Sequence, residues 1–129
     1  MALGRERRQY QRYALPSMYT RVTVRLMDEQ EFRWEGHAYD VSVGGMRFEL
    51  DSPIDQATPV VVQIELPGSD PTGDPEPVFV AANIVWLEED DLEQPGPVRM
   101  ACVFREFARA EDQDRLVRRL NSGRFSIAA

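Results

Sequence analysis

Two short stretches of this chain combine residue types and spacings that suit recognition of an anion. The first is Arg7-Arg8-Gln9-Tyr10-Gln11-Arg12, which precedes any strand-like pattern. Arg8 and Arg12 stand on one face if the segment is helical and about 13 Å apart if it is extended. Either way two guanidinium forks can close on one anion from two sides. Each charge-assisted bond to phosphate then contributes about 1.5–3 kcal/mol before ordering costs. A disordered basic tail has the same composition. The second stretch is Asp40-Val41-Ser42-Val43-Gly44-Gly45. If the strand continues through it, Asp40 and Ser42 project from one face. A carboxylate there accepts paired N–H donors, from the Watson–Crick edge of a guanine or from an arginine fork. Ser42 adds a small donor, and Gly44 and Gly45 let backbone approach a ligand without a Cβ penalty. A plain hairpin corner, with Asp40 capping the turn, accounts for the same residues.

Residues suited to catalysis are scarce. His37 is the single histidine and sits beside Gly36 in a strand-like stretch, so it reads as a surface or half-buried side chain. Cys102 lies in phase with Val98, Met100 and Phe104, as a small buried hydrophobe does. The acid run Glu88-Glu89-Asp90-Asp91 lacks the glycine and alternate spacing of a calcium loop and reads as a solvated hairpin loop. No Cys/His cluster has metal-ligand spacing, and no phosphate-loop or dinucleotide glycine pattern occurs. The expectation is a protein that is not an enzyme and that carries neither a metal nor a cofactor.

The elements that must position the two stretches are strands. Val22, Val24 and Leu26 alternate with Arg21, Thr23 and Arg25 over Tyr19–Leu26. Phe32–Val41 continues less cleanly, with Phe32 and Trp34 before Gly36 and Tyr39 and Val41 after it on one face. Gly36 inside that strand is expected to mark a bulge or bend. Met46, Phe48 and Leu50 form a third strand, Val60–Leu66 a fourth, Val78–Trp86 a fifth and Val98–Phe104 a sixth. Turn chemistry separates them: Gly44-Gly45, Pro53, Pro67-Gly68, the proline-rich loop 70–77 and Pro95-Gly96-Pro97. Over Ala108–Asn121 the period becomes helical, with Leu116, Val117 and Leu120 on one face. Glu111 and Asp112 lie in its first turn and Arg118 and Arg119 in its last, matching the helix dipole. The fold expected is all-β: a small six-stranded antiparallel barrel, closed because closure removes exposed edges, with a C-terminal helix. Residues 1–14 are expected to be a flexible basic arm, 15–107 the barrel, 108–121 the helix and 122–129 a frayed tail.

Charge narrows the partners. The 129 residues carry a net charge of −7, and all fifteen basic residues are arginine. Residues 1–25 hold six arginines against Glu6, a net of +5, so the remainder stands at −12. A body of that sign repels polyphosphate and anionic membrane, whereas a basic arm on it suits a compact anion or an acidic protein patch. No run approaches the roughly 18 apolar residues of a membrane span. The N-terminus has no apolar signal region, and one cysteine makes no internal disulfide. These point to the cytoplasm.

RxxxR followed by [D/N]xSxxG between two strands of a small barrel resembles the PilZ domain family. Here the motifs read Arg8-Gln9-Tyr10-Gln11-Arg12 and Asp40-Val41-Ser42-Val43-Gly44-Gly45. The resemblance extends over about residues 5–121, through strand count, Val85-Trp86, Val103-Phe104 and the terminal helix. One departure is Ala101, where many relatives carry glycine. The resemblance implies a receptor for the bacterial second messenger cyclic di-GMP, with a PilZ-like split barrel and an arginine segment that wraps the ligand. By position, Arg8 and Arg12 would bind phosphates and guanine Hoogsteen edges, Asp40 and Ser42 would meet a guanine, and Gly45 would give clearance. Arg7 would add a third guanidinium able to hold a stacked nucleotide dimer. Gly44 borders the same turn, and Trp86 would either stack on a base or pack in the core.

Ordering of the arm on binding would create a surface for an effector protein in motility or biofilm regulation. Two other readings stand beside this one. In the first, a PilZ-like adaptor binds protein and no nucleotide. In the second, a barrel binds single-stranded nucleic acid, which the −12 body disfavours.

Overall fold

The alternation read from the sequence closes on itself. The computed structural model describes residues 12–15, 20–66, 76–86 and 98–121. Within them run seven strands, β1 (Tyr13–Ala14), β2 (Arg21–Leu26), β3 (Trp34–Val41), β4 (Gly45–Leu50), β5 (Pro59–Glu65), β6 (Val78–Trp86) and β7 (Val98–Phe107), and one helix, α1 (Ala110–Leu120). Six of the strands form a ring in the order β2-β5-β6-β7-β4-β3, and β3 returns to pair with β2. Every pairing is antiparallel. The expected six-stranded barrel with its C-terminal helix is therefore what the chain forms.

The inner row of each strand explains the closure. Val22 and Val24, Phe48 and Leu50, Val62 and Ile64, Val80 and Ile84, and Met100 are at most 1 % exposed. Each such side chain contributes about 1.5–3 kcal/mol when fully buried, and neither face of a flat sheet of these strands could hide them all. Leu116 and Leu120 of α1 are buried in the same core, and the helix packs on β6 and β7. Arg119 is buried with them and donates from Nη1 to the carbonyl of Leu66 at 3.2 Å.

Several boundaries differ from expectation for local reasons. The two-residue strand β1 pairs with β3, Tyr13 opposite Val41 and Ala14 opposite Asp40, so barrel pairing begins before residue 15. The helix starts at Ala110 rather than 108: the Ala108 N–H still donates to the Phe79 carbonyl at 3.0 Å. Arg109 is extended (φ −137°, ψ 154°) as the N-cap, and its N–H donates to Asp112 Oδ2 at 3.0 Å. Strand β3 starts at Trp34, and Phe32 lies outside it with its ring 6.3 Å from that of Phe79. Gly36 is not a bulge. It pairs regularly with Val22 on one side and Leu50 on the other. A Cβ there would stand 1.8 Å from the Glu49 carbonyl oxygen, so the residue permits close approach of β3 and β4. The irregularity in β3 falls instead between Ala38 and Asp40.

Candidate ligand-binding site

A bulge in β3 sets the site. Ala38 pairs with Phe48 and Asp40 with Arg47, which leaves Tyr39 as an extra residue with no partner on β4. Strict alternation from Ala38 would send Asp40 into the core. The bulge instead turns both Tyr39 and Asp40 to the outer face and returns Val41, fully buried, to the inner one. Tyr39 and Val41 thus lie on opposite faces, contrary to the period-two reading. Tyr39 Oη donates to Glu49 Oε2 at 3.0 Å, and burial pushes its phenol up to about 12. Asp40 is 5 % exposed. Its Oδ2 accepts two N–H groups of Arg47, Nε at 2.7 Å and Nη2. That hydrogen bonding raises the Arg47 guanidinium above its ordinary value.

The β3–β4 turn follows at once. Strand β3 ends at Val41, and Ser42 opens the turn. The Ser42 N–H donates to the Gly45 carbonyl at 2.8 Å, and Ser42 Oγ accepts the Gly44 N–H at 3.1 Å. The oxygen of Ser42 therefore shapes the turn while its hydroxyl hydrogen remains a donor. Gly45 has a structural cause of its own. A Cβ at that position would lie 2.5 Å from the Cys102 carbonyl oxygen on β7. Clearance for a ligand is thus not the first demand on this glycine.

Around the bulge and the turn lies an open groove of about 960 Å³ on the outer face of β4 and β7. Arg12, Asp40, Ser42, Gly44 and Gly45 all line it. Arg12 reaches it because β1 follows directly and runs along β3, the Leu15 N–H donating to the Tyr39 carbonyl at 2.7 Å. Arg7 and Arg8 lie outside the described residues. Trp86 belongs to β6 by its backbone, and its side chain also lies outside them. His37 is half-buried in β3. Cys102 is a free buried thiol, pushed up to about 12 by burial. The acid run 88–91 is outside the described residues. Among those described, no group of His, Cys, Asp or Glu could hold a metal ion. Nor is any helix there long and apolar enough to cross a membrane.

Three arginines of the lining were not singled out by sequence. Arg47, Arg105 and Arg109 join Arg12 to give the groove four guanidiniums against Asp40 and Glu106. Val103 on its floor is 53 % exposed and offers an apolar surface to a flat ring. Arg105 occupies a second irregularity, where β7 shifts register against β6 between Ala81 and Ala82. Arg109 is already engaged. Its Nε and Nη2 donate to the two oxygens of buried Asp112, each at 3.0 Å, and its guanidinium stands 5.6 Å over the Phe79 ring. The outward phase of Arg47, Val103 and Arg105 is visible in the alternation. Their neighbourhood is not, because it depends on the pairing of Gly45 with Val103 and of Arg47 with Ala101.

Comparison with known proteins places this geometry in context. The family model for the PilZ domain matches residues 6–122. No curated protein matches the chain. Among solved structures, the Bacillus subtilis inhibitor of motility MotI/DgrA superposes with a TM-score of 0.59 at 19% identity, covering 92% of this chain and 53% of that one. The chain thus spans about half the length of that neighbour. The PilZ domain of YcgR from Escherichia coli, solved with c-di-GMP, superposes with a TM-score of 0.56 at 17% identity, covering 90% of each chain.

Proposed function

The chain belongs to the PilZ domain family, and from that premise we propose that it is a cyclic di-GMP receptor that signals through a protein partner and performs no catalysis. The observation that carries the reading is the convergence of Arg12, Asp40, Ser42 and Gly45, from separated parts of the sequence, on one groove. Arg8 and Arg12 take phosphates and guanine Hoogsteen edges. Asp40 and Ser42 take the donors of one guanine. Arg7 supplies the third guanidinium that a stacked nucleotide dimer requires, and Val103 lies flat under a base. Further support comes from the YcgR PilZ domain, a neighbour solved with c-di-GMP. A compact dianion also suits a groove with four guanidiniums on a chain that is acidic elsewhere.

Binding orders the arginine segment against the barrel, and the ordered segment is the new surface an effector meets. The MotI/DgrA neighbour is an inhibitor of motility, an output of the kind that a domain without catalysis delivers by contact. Isothermal titration with cyclic di-GMP at physiological salt, with GTP and cyclic di-AMP as controls, tests the reading. Saturable and selective heat is expected, and its stoichiometry reports whether one nucleotide or a stacked pair is held. Absence of heat up to about 100 µM ligand, an affinity weaker than about −5 kcal/mol, would reduce the motifs to structural elements of an adaptor.

A further inference from the structure

We propose that Arg47 is the positioning residue that makes this groove selective for guanine, by aiming the Asp40 carboxylate at the base. The inference rests on the reading of the groove as a cyclic di-GMP site. Asp40 and Arg47 stand directly opposite one another across β3 and β4, and they do so because the bulge at Tyr39 brings both side chains to the outer face. Both contacts from Arg47 converge on a single oxygen, Oδ2. Two N–H groups of one rigid guanidinium fork hold that oxygen more firmly than a single donor would. The pair is asymmetric in its environment. The Asp40 side chain is 7 % exposed, whereas that of Arg47 is 38 % exposed and lies along the groove wall. The carboxylate is thus held by a partner on the solvent side and presented at a fixed angle from below.

That fixed angle is what base selection requires. A carboxylate is an acceptor only. Guanine offers it two adjacent donors, N1–H and the 2-amino group, and a purine lacking the 2-amino group leaves part of the carboxylate unpaired in a largely desolvated place. Sites built to hydrogen-bond a substrate group reject analogues that lack it, because the site's own polar atoms go unsatisfied. Rejection of this kind disappears if the carboxylate can swing away to another partner. Two of the other guanidiniums are placed elsewhere: Arg109 is forked onto Asp112, and Arg105 sits at the register shift of β7 against β6. Arg47 therefore acts on the ligand through Asp40 rather than by bonding the base.

The test compares cyclic di-GMP with cyclic di-IMP, which differs only by the absent 2-amino groups, in titrations of the full chain and of Arg47→Met and Arg47→Lys. The wild-type chain is expected to prefer cyclic di-GMP by at least about tenfold, the worth of a hydrogen bond to a charged group. In Arg47→Met the preference falls to within about threefold, through weaker cyclic di-GMP binding with little change for cyclic di-IMP. Arg47→Lys, a point charge without a planar fork, recovers part of it. Thermal unfolding of each variant without ligand verifies the fold. Should Arg47→Met fail to fold, Arg47→Gln carries the same comparison. A preference kept intact in the folded variants overturns the role of Arg47 while leaving the groove a receptor site. A wild-type chain that binds neither nucleotide overturns the receptor reading and the role of Arg47 with it.

Discussion

The outer faces of the β2–β5 wall and of the β3–β4 end of the barrel are built from similar residues and arranged in opposite ways. From Arg21 opposite Glu65 to Leu26 opposite Val60, β2 and β5 pair without a shift in register. Charges there are matched in place. Arg21 donates from Nε to Glu35 at 2.8 Å and from Nη1 to Glu65 at 2.9 Å, and Thr23 bonds Gln63 at 3.1 Å. All lie on strands that are neighbours in the ring, and the Arg21, Glu35 and Glu65 side chains are about half exposed. At the β3–β4 end a bulge and a tight turn interrupt the ladder, and along the same groove β7 shifts register against β6. There one carboxylate is buried and arginines outnumber acids along the groove. Regular pairing lets a strand satisfy its own surface charges. Broken pairing gathers more arginines than acids around one opening.

Substitutions can sharpen or break that contrast. The largest effect is expected where backbone meets backbone. Gly36→Ala puts a Cβ 1.8 Å from the Glu49 carbonyl oxygen, and unfolding in urea should show a loss of about 3 kcal/mol or more. Gly45→Ala, at 2.5 Å from the Cys102 carbonyl oxygen, should cost less. If Gly45→Ala lowers ligand affinity with no loss of stability, clearance for ligand rather than strand approach is what that glycine serves. Next in size, Arg12→Ala should weaken cyclic di-GMP binding by about 2–4 kcal/mol while stability moves by less than about 0.5 kcal/mol. Equal change in both would make Arg12 a structural residue like those of the regular wall.

A smaller effect should appear with alkali. Burial raises the Cys102 thiol from 9.0 to about 12, and a neutral form favoured by the fold stabilises it below the unfolded value. That contribution is lost as pH climbs from about 9 towards 12, amounting to about 1 kcal/mol at pH 10. Urea titrations of wild type and Cys102→Ala at pH 7 and pH 10 should show the wild type losing more. The smallest effect is expected at Arg21→Ala. Its pairs are exposed and balanced, so the urea midpoint and the nucleotide affinity should both stay near wild type. A clear loss of affinity there would dissolve the contrast between wall and groove.

Much of this was legible in the sequence, and the remainder was hidden for identifiable reasons. Inner rows such as Val60, Val62 and Ile64 declare themselves by period two, because one face of each strand must be apolar over its whole length. The polarity of α1 is equally local. The bulge at Tyr39 is not. No glycine marks it, and it exists because β4 pairs with Ala38 and Asp40 in a register that the barrel's closure imposes. The glycine that does stand in β3, Gly36, answers to interstrand distance instead. Arg47 could be placed on the outer face by alternation. Its partner could not be named, since the pairing of Arg47 with Asp40 depends on the register that follows the bulge. Strand β1 is two residues long, too short for any periodicity to register.

Because Tyr13 and Ala14 pair with β3 beside Asp40, Arg12 is tied to the rim of the groove. Arg8 stands four residues before Arg12 in the sequence, and four residues of extended chain span at most about 14 Å. A tether that short puts the second of two groups at an effective concentration far above that of the protein in solution. If Arg8 and Arg12 share one anion, as proposed, the second contact forms as a first-order event indifferent to dilution. Escape of the anion then requires both contacts to open before either re-forms, so residence time gains more from the second arginine than the rate of first encounter does.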